Sequence, residues 1–139
     1  ISNSNIKFLG NISDREVEIY MSRCKAFVYA GLEDFGIAPV EAMASGAPVI
    51  AYGRGGILDI VNCLNEKNKE KVQNGLLFKN QTSQDIFDTI SWFEDKKLWN
   101  KFKPEILNKY SHNFSVENFL RKFDISINKA WDFFKKKYS

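Results

Sequence analysis

The sequence is poor in the residues that build metal centres and disulfide frameworks. Its 139 residues include two cysteines, Cys24 and Cys63, and one histidine, His112. Two cysteines, one of them placed on a helix face, suggest reduced thiols and a cytosolic protein, not a cross-linked secreted one. His112 has no Cys or His at ligand spacing, so no metal site is expected. No apolar run approaches the roughly 20 residues that span a bilayer. The first residues are polar and do not read as a signal peptide. Charge of one sign is scarce too, with 20 Lys and Arg against 17 Asp and Glu and a formal net charge of +3. That excess is too slight to argue for nucleic acid. The run Lys135-Lys136-Lys137 reads as a solvated helix end, not as a membrane patch. Repeats and low-complexity linkers are missing, and so is an initiator methionine, which reads as a piece of something longer.

What is present is ordinary for a soluble globular protein, with 44% hydrophobic and 27% charged residues, and it is enough for one domain with a real core. Residues 7–10 form a short apolar run ending in Gly10, a candidate strand. Ser13 followed by Glu16 is a capping box. The helix it opens repeats Val17, Tyr20, Met21 and Cys24 at helical spacing, which predicts that this face meets the core. Gly53, Arg54, Gly55 and Gly56 make a tight loop, and a short helix carrying Asp59 follows. Residues 62–74 are polar and charged, with an exposed loop expected over 65–69. Residues 75–78 read as the last strand. Thr82 or Ser83 starts a helix with Ile86, Phe87, Ile90 and Phe93 inward, and a helical stretch over 97–110 is interrupted near Pro104. Ser115 caps the longest helix. There Phe119, Leu120, Phe123, Ile127, Ala130, Trp131 and Phe134 keep helical spacing over about five turns, a stripe expected in the core.

Residues 26–52, AFVYAGLEDFGIAPVEAMASGAPVIAY, organise the rest. An apolar run at 26–30 is followed by a polar loop, a small-residue helix and a second apolar run at 48–52. Strand, loop, helix, strand is the unit of a parallel sheet. Pro39 suits the first helical position and Gly46 the left-handed residue after the helix. Ala42, Met43 and Ala44 let the helix lie close on the sheet. Glu33 and Glu41 bracket Gly36, which lets backbone come near a ligand, and ligands in such folds bind at the carboxyl ends of the strands. Plainer roles stand beside this one. As the third helical residue, Glu41 could cap the free N–H of Ala38, Glu33 could be a solvated loop residue, and Arg54 could be an ordinary surface cation.

The stretch LEDFGIAPVEAMASGAPVIAYGRGG, residues 32–56, closely resembles the signature of retaining glycosyltransferases of the GT-B fold, specifically glycosyltransferase family 4. Asp34 replaces the usual Gly, Ala38 precedes Pro39, and Asp59 stands where the family has Glu. The match extends from Phe8-Leu9-Gly10 through Gly75-Leu76-Leu77. The resemblance implies an α/β fold, a Rossmann-like parallel sheet flanked by helices that is the C-terminal, nucleotide-sugar-binding half of a GT-B enzyme. In that register residues 7–10, 26–30, 48–52 and 76–78 are strands three to six, and the first two strands, with a paired Arg and Lys that grip the diphosphate, are missing. So is the N-terminal domain that supplies the acceptor site.

The resemblance assigns Glu33 the place beside the transferred sugar and Glu41 the ribose hydroxyls. Backbone N–H groups of Phe35, Gly36, Ile37 and the helix start as far as Val40 would meet diphosphate and sugar. Asn11 and Ile12 would seat the base edge, and Arg54 would stand near the donor's negative charge. The family needs no metal and no cofactor beyond the nucleotide-sugar donor. The AYGRGG variant, the sequence Glu70-Lys71-Val72-Gln73-Asn74-Gly75 and the short aromatic tail look most like mannosyltransferases of bacterial surface-polysaccharide assembly. GDP-mannose is therefore the first donor and a UDP-sugar the second, with a glycan or lipid-linked acceptor. A cytoplasmic protein is implied, reaching the inner face of a membrane only through the missing half. Two other classes remain open at this level: a non-catalytic nucleotide-binding or assembly module of the same fold, and a flavodoxin-like regulatory domain.

Overall fold

The computed structural model describes residues 5–64 and 72–138. Its centre is a parallel sheet of three strands in the order β1-β2-β3, with β1 at Phe27–Tyr29, β2 at Val49–Tyr52 and β3 at Gly75–Phe78. Phe27 pairs with Val49 and Tyr29 with Ala51, while Val49 pairs with Gly75 and Tyr52 with Phe78. Val49, Ile50 and Ala51 are all buried, so β2 reads as a continuous apolar run, as a central parallel strand must. Successive side chains alternate between the faces. Val49 and Ala51 join Ala42, Met43, Ile57 and Ile60 on one side. Ile50 joins Leu76, Phe78, Phe93, Leu98, Phe102 and Leu107 on the other. Large side chains such as Ile50 and Phe93 contribute about 1.5–3 kcal/mol each when fully buried.

The helices are α1 at Asp14–Arg23, α2 at Ile37–Ala44, α3 at Ile57–Ile60, α4 at Ser83–Asp95, α5 at Pro104–Ser111 and α6 at Val116–Tyr138. Ser13 caps α1, and both arms of the capping box with Glu16 are made. The Ser13 hydroxyl and amide hold the Glu16 carboxyl below its usual range. Thr82 caps α4 through the Asp85 amide, Ser115 caps α6 through the Asn118 amide, and Pro104 opens α5 at the first turn. Helix α2 ends in a Schellman motif. The Gly46 amide bonds to the Met43 carbonyl and the Ala47 amide to the Ala42 carbonyl, each at 2.9 Å, with Gly46 at φ 90°. The Asn108 side chain donates to the remaining Ala44 carbonyl at 2.6 Å.

Five expectations are corrected. Residues 7–10 are not a strand but exposed coil, with Phe8 84% exposed. That leaves β1 at the sheet edge, with Val28 42% exposed although its partner on β2, Ile50, is buried. Helix α2 begins at Ile37, two residues before Pro39. Gly36 precedes it at φ 91°, a left-handed geometry that turns the chain into the helix earlier than a proline at the first position would. Helix α1 buries no residue fully, because Val17 and Met21 are half-buried and Tyr20 and Cys24 exposed. In α4 the inward face is Ile86, Ile90 and Phe93, and Phe87 points out at 65% exposure. The aromatic stripe of α6 is not core. None of that helix is buried, since it runs on past the last element that packs on the sheet.

The expected loop at 65–69 lies outside the described residues, but its anchor does not. Asn74 is fully buried. Its side-chain Oδ1 accepts the Asn62 backbone amide at 2.7 Å, and its side-chain Nδ2 donates to the Ile60 carbonyl at 2.9 Å. The side chain thus closes the end of α3 onto the approach to β3. Replacing Asn74 with Ala leaves a buried donor and a buried acceptor unpaired, so urea unfolding should show a loss of about 2–4 kcal/mol. A loss under about 1 kcal/mol would contradict this anchoring role.

Candidate functional site

The site begins where β1 ends. Tyr29, Leu32, Glu33, Asp34, Phe35, Gly36, Ile37 and Ala38 line an open cleft of about 630 Å³. Four of the residues expected at a ligand, Glu33, Phe35, Gly36 and Ile37, therefore share one wall. The start of α2 supplies its donors. With Gly36 as the residue before the helix, the amides that the helix itself leaves free are those of Gly36, Ile37 and Ala38. Pro39, at the third helical position, has no N–H to leave unpaired. The amide of Val40 is the first to bond inside the helix, so Val40 cannot serve as a backbone donor as expected. Its side chain packs against the core instead.

The loop over 33–35 is held from behind by backbone. The Gly56 amide donates to the Glu33 carbonyl at 2.9 Å. A Cβ on Gly56 would collide with the Asp34 carbonyl, and one on Gly55 would come within 2.7 Å of the Glu33 carbonyl. The two glycines after β2 are thus the floor on which the carboxylate loop rests, and side chains there would lift it. Phe35 is held from another direction by the Phe114 ring, edge to face at 5.9 Å between centroids. Arg54 is exposed on the same glycine loop, its amide bonded to the Tyr52 carbonyl at 2.8 Å.

Glu41 lies elsewhere. It lines a groove of about 260 Å³ between α1 and α2, with Asp14, Val17, Glu18, Met21 and Ala44. As the fifth residue of α2 it is past the position from which a carboxylate caps a helix start. The capping role considered for it is excluded by that register. Helix α2 is a wall of both depressions, with about 6 Å of axial rise from Ile37 to Glu41. Asn11 is exposed and Ile12 half-buried in the coil leading into α1. A third depression, of about 420 Å³, is lined by Leu58, Asp59, Asn62, Val72 and Tyr110.

Sequence reasoning missed Tyr29 and the glycine floor. Tyr29, at the end of β1, lines the cleft together with Glu33, and the neighbouring Glu33 carboxylate, then partial desolvation, pushes the phenol pKa up. No periodicity marks the place of Tyr29, whereas Gly55 and Gly56, read only as part of a tight loop, carry in their missing side chains the signal for close backbone approach. The floor is testable. Gly56→Ala should cost about 1–3 kcal/mol, as overpacking does, and should displace the NMR amide signals of Asp34, Phe35 and Gly36 most. Unmoved signals there would show that the glycine does not support the loop.

Known proteins resemble this chain in sequence and in fold. The family model described as glycosyl transferases group 1 matches residues 2–113. An alpha-1,3/1,6-mannosyltransferase of Candida glabrata is 31% identical over 121 residues, covering 86% of this chain and 25% of that protein. An uncharacterized glycosyltransferase of Methanocaldococcus jannaschii is 34% identical over 115 residues, covering 82% of this chain and 30% of that protein. A sucrose-phosphate synthase structure from Thermosynechococcus elongatus superposes with a TM-score of 0.68 at 23% identity, covering 91% of this chain and 30% of that one. The chain thus spans less than a third of each of these proteins. Its parallel sheet flanked by helices is the Rossmann-like half of a GT-B fold, and the chain belongs to the glycosyl transferases group 1 family.

Proposed function

We propose that this chain is the donor-binding part of a retaining glycosyltransferase that moves a hexose from a nucleotide diphosphate sugar to a glycan or lipid-linked acceptor. The observation that carries this reading is the cleft itself, which Glu33 lines together with the start of α2 and its free amides. When the bond between sugar and diphosphate breaks, positive charge develops on the sugar and negative charge on the leaving phosphate. A fixed carboxylate opposes the first, and backbone N–H groups at a helix start oppose the second. The acceptor hydroxyl then forms the new bond to the sugar as the bond to the diphosphate breaks, and its proton passes to the departing phosphate oxygen.

Glu41 completes the arrangement by accepting hydrogen bonds from the ribose hydroxyls. The short rise along α2 separates ribose from sugar by a span that a diphosphate can bridge. In this reading Arg54 approaches the diphosphate from the glycine loop, and Asn11 and Ile12 flank the base. GDP-mannose is the preferred donor, supported by the mannosyltransferase named among the relatives, and a UDP-sugar is the alternative. The acceptor site is supplied by polypeptide beyond this chain, and so is the remaining wall of the cleft. The protein acts in the cytoplasm and meets a membrane only through that other polypeptide. Among the described residues no helix is long and apolar enough to cross one.

The two carboxylates are separable by experiment in the complete protein. Glu33→Ala should abolish most turnover from GDP-mannose while leaving affinity for GDP unchanged, because GDP lacks the sugar. Glu41→Gln should weaken GDP itself by about 1–3 kcal/mol, the worth of a charged hydrogen bond, with little change in stability. Equal losses of turnover and GDP affinity in Glu33→Ala would make Glu33 a nucleotide ligand and refute its assigned role. GDP binding without transfer by the unmodified protein would favour a non-catalytic nucleotide-binding module.

A further inference from the structure

We infer that α6 is a pairing surface for a second copy of this chain, the two helices lying antiparallel about Ile127. The pairing is independent of what the cleft binds. Helix α6 runs 23 residues from Val116 to Tyr138, about 34 Å, and none of them is buried. One of its faces is nonetheless apolar from end to end. Counted outward from Ile127 by four, seven and eleven residues stand Phe123 and Trp131, Leu120 and Phe134, Val116 and Tyr138. All seven are more than half exposed. Trp131 stacks on Phe134 at 5.8 Å between centroids, and Phe134 meets Tyr138 at 4.7 Å, so the stripe is continuous. Monomers ordinarily expose apolar patches of no more than about 300–600 Å². Aromatic side chains cover about 150–250 Å² each. With four of them beside Val116, Leu120 and Ile127, the stripe offers on the order of 800 Å², one partner's share of a standard interface.

Symmetry and charge select the occupant. A two-fold contact sets one patch against itself, and a stripe that is apolar at equal distances on both sides of Ile127 matches its own reverse. Phe123 then falls opposite Trp131, Leu120 opposite Phe134 and Val116 opposite Tyr138. The first turn of α6 carries Glu117 and the last carries Lys135, Lys136 and Lys137. Antiparallel pairing brings each acidic end to the partner's basic end with the helix dipoles opposed, whereas parallel pairing would set lysines against lysines. Lys135 and Lys137 lie over the rings of Trp131 and Tyr138, 5.6 and 5.3 Å from their centroids. They therefore stand at the rim of the stripe, beside the partner's first turn. A lipid surface fits less well. Glu117 and Asp124, three and four residues from Leu120, border the stripe with negative charge, where an interfacial helix carries Lys and Arg.

Sedimentation velocity tests this on the 139-residue chain and on the complete protein. Both should be dimers at micromolar concentration. Ile127→Glu sets two carboxylates against each other at the symmetry axis and should weaken association on the order of a hundredfold. Since Ile127 is exposed, the NMR amide signals of Val49, Ile50 and Ala51 should stay in place, which separates lost pairing from lost folding. Cross-linking reads the direction. In a Cys24→Ser, Cys63→Ser background oxidised with diamide, Ile127→Cys should link two copies. Leu120→Cys should not, because antiparallel pairing keeps the two positions about 20 Å apart. A monomer at every concentration, a dimer that survives Ile127→Glu, or linkage through Leu120→Cys would each overturn the inference. So would a monomer that sediments with phosphatidylserine vesicles, which gives the face to lipid. A monomeric complete protein would give it to polypeptide beyond this chain and would overturn the inference as well.

Discussion

The site depends on one contact of backbone with backbone, the loop after β1 resting on the glycines after β2. Loops are ordinarily the mobile part of such folds, and fixing each of their residues costs about 1–2 kcal/mol. Here the Gly56 amide holds the Glu33 carbonyl, and no Cβ fits between the two segments. Pairing of Tyr29 with Ala51 already brings the strand ends together. The glycine contact extends that pairing past the sheet, so that Glu33, Phe35 and the start of α2 inherit the position of β2, whose residues 49–51 are fully buried. The rigidity needed for electrostatic preorganisation thus comes from the centre of the sheet.

Helix α2 converts that fixed start into a directional device. Gly36, in a left-handed conformation, turns the chain into the helix where Gly36, Ile37 and Ala38 line the cleft. Ala42 and Met43 are fully buried in the core under the sheet's helix-covered face, and the Schellman motif with its Asn108 partner closes the far end. Between these ends the helix presents its first turn to the cleft and Glu41 to the groove beside α1. Two carboxylates that look alike in the sequence stand in different surroundings. One is in the loop after β1, in the cleft, and the other is on a helix side facing Asp14 and Glu18. Their proposed roles, sugar and ribose, come from the family resemblance, and that separation is compatible with two roles.

The architecture was legible because parallel-sheet units punctuate themselves. Continuous apolar runs at residues 26–30 and 48–52, Gly46 after a small-residue helix, and Ser13 with Glu16 each have a local cause, and each formed as read. Misreadings arose where tertiary context decides. The run at residues 7–10 has strand composition but no neighbour to pair with among the described residues. Pro39 can occupy any place in a helix's first turn, so it could not fix the start that Gly36 sets. Periodicity showed that Phe119, Phe123, Ile127 and Trp131 share a face, but it carries no information on whether anything covers that face. The cleft was legible in Glu33, Phe35, Gly36 and Ile37, which lie close in sequence. Tyr29 was not, since its contact depends on a ring folding over Gly31.

The central claim is that the cleft before α2 receives the sugar end of a nucleotide sugar. Its most direct test is a crystal structure of the complete protein with GDP-mannose. The expected result has the sugar within hydrogen-bonding distance of the Glu33 carboxylate, the diphosphate on the amides of Ile37 and Ala38, and the ribose on Glu41. Donor density lying instead in the depression of Asp59, Asn62 and Tyr110, with the cleft of Glu33 holding only solvent, would contradict it.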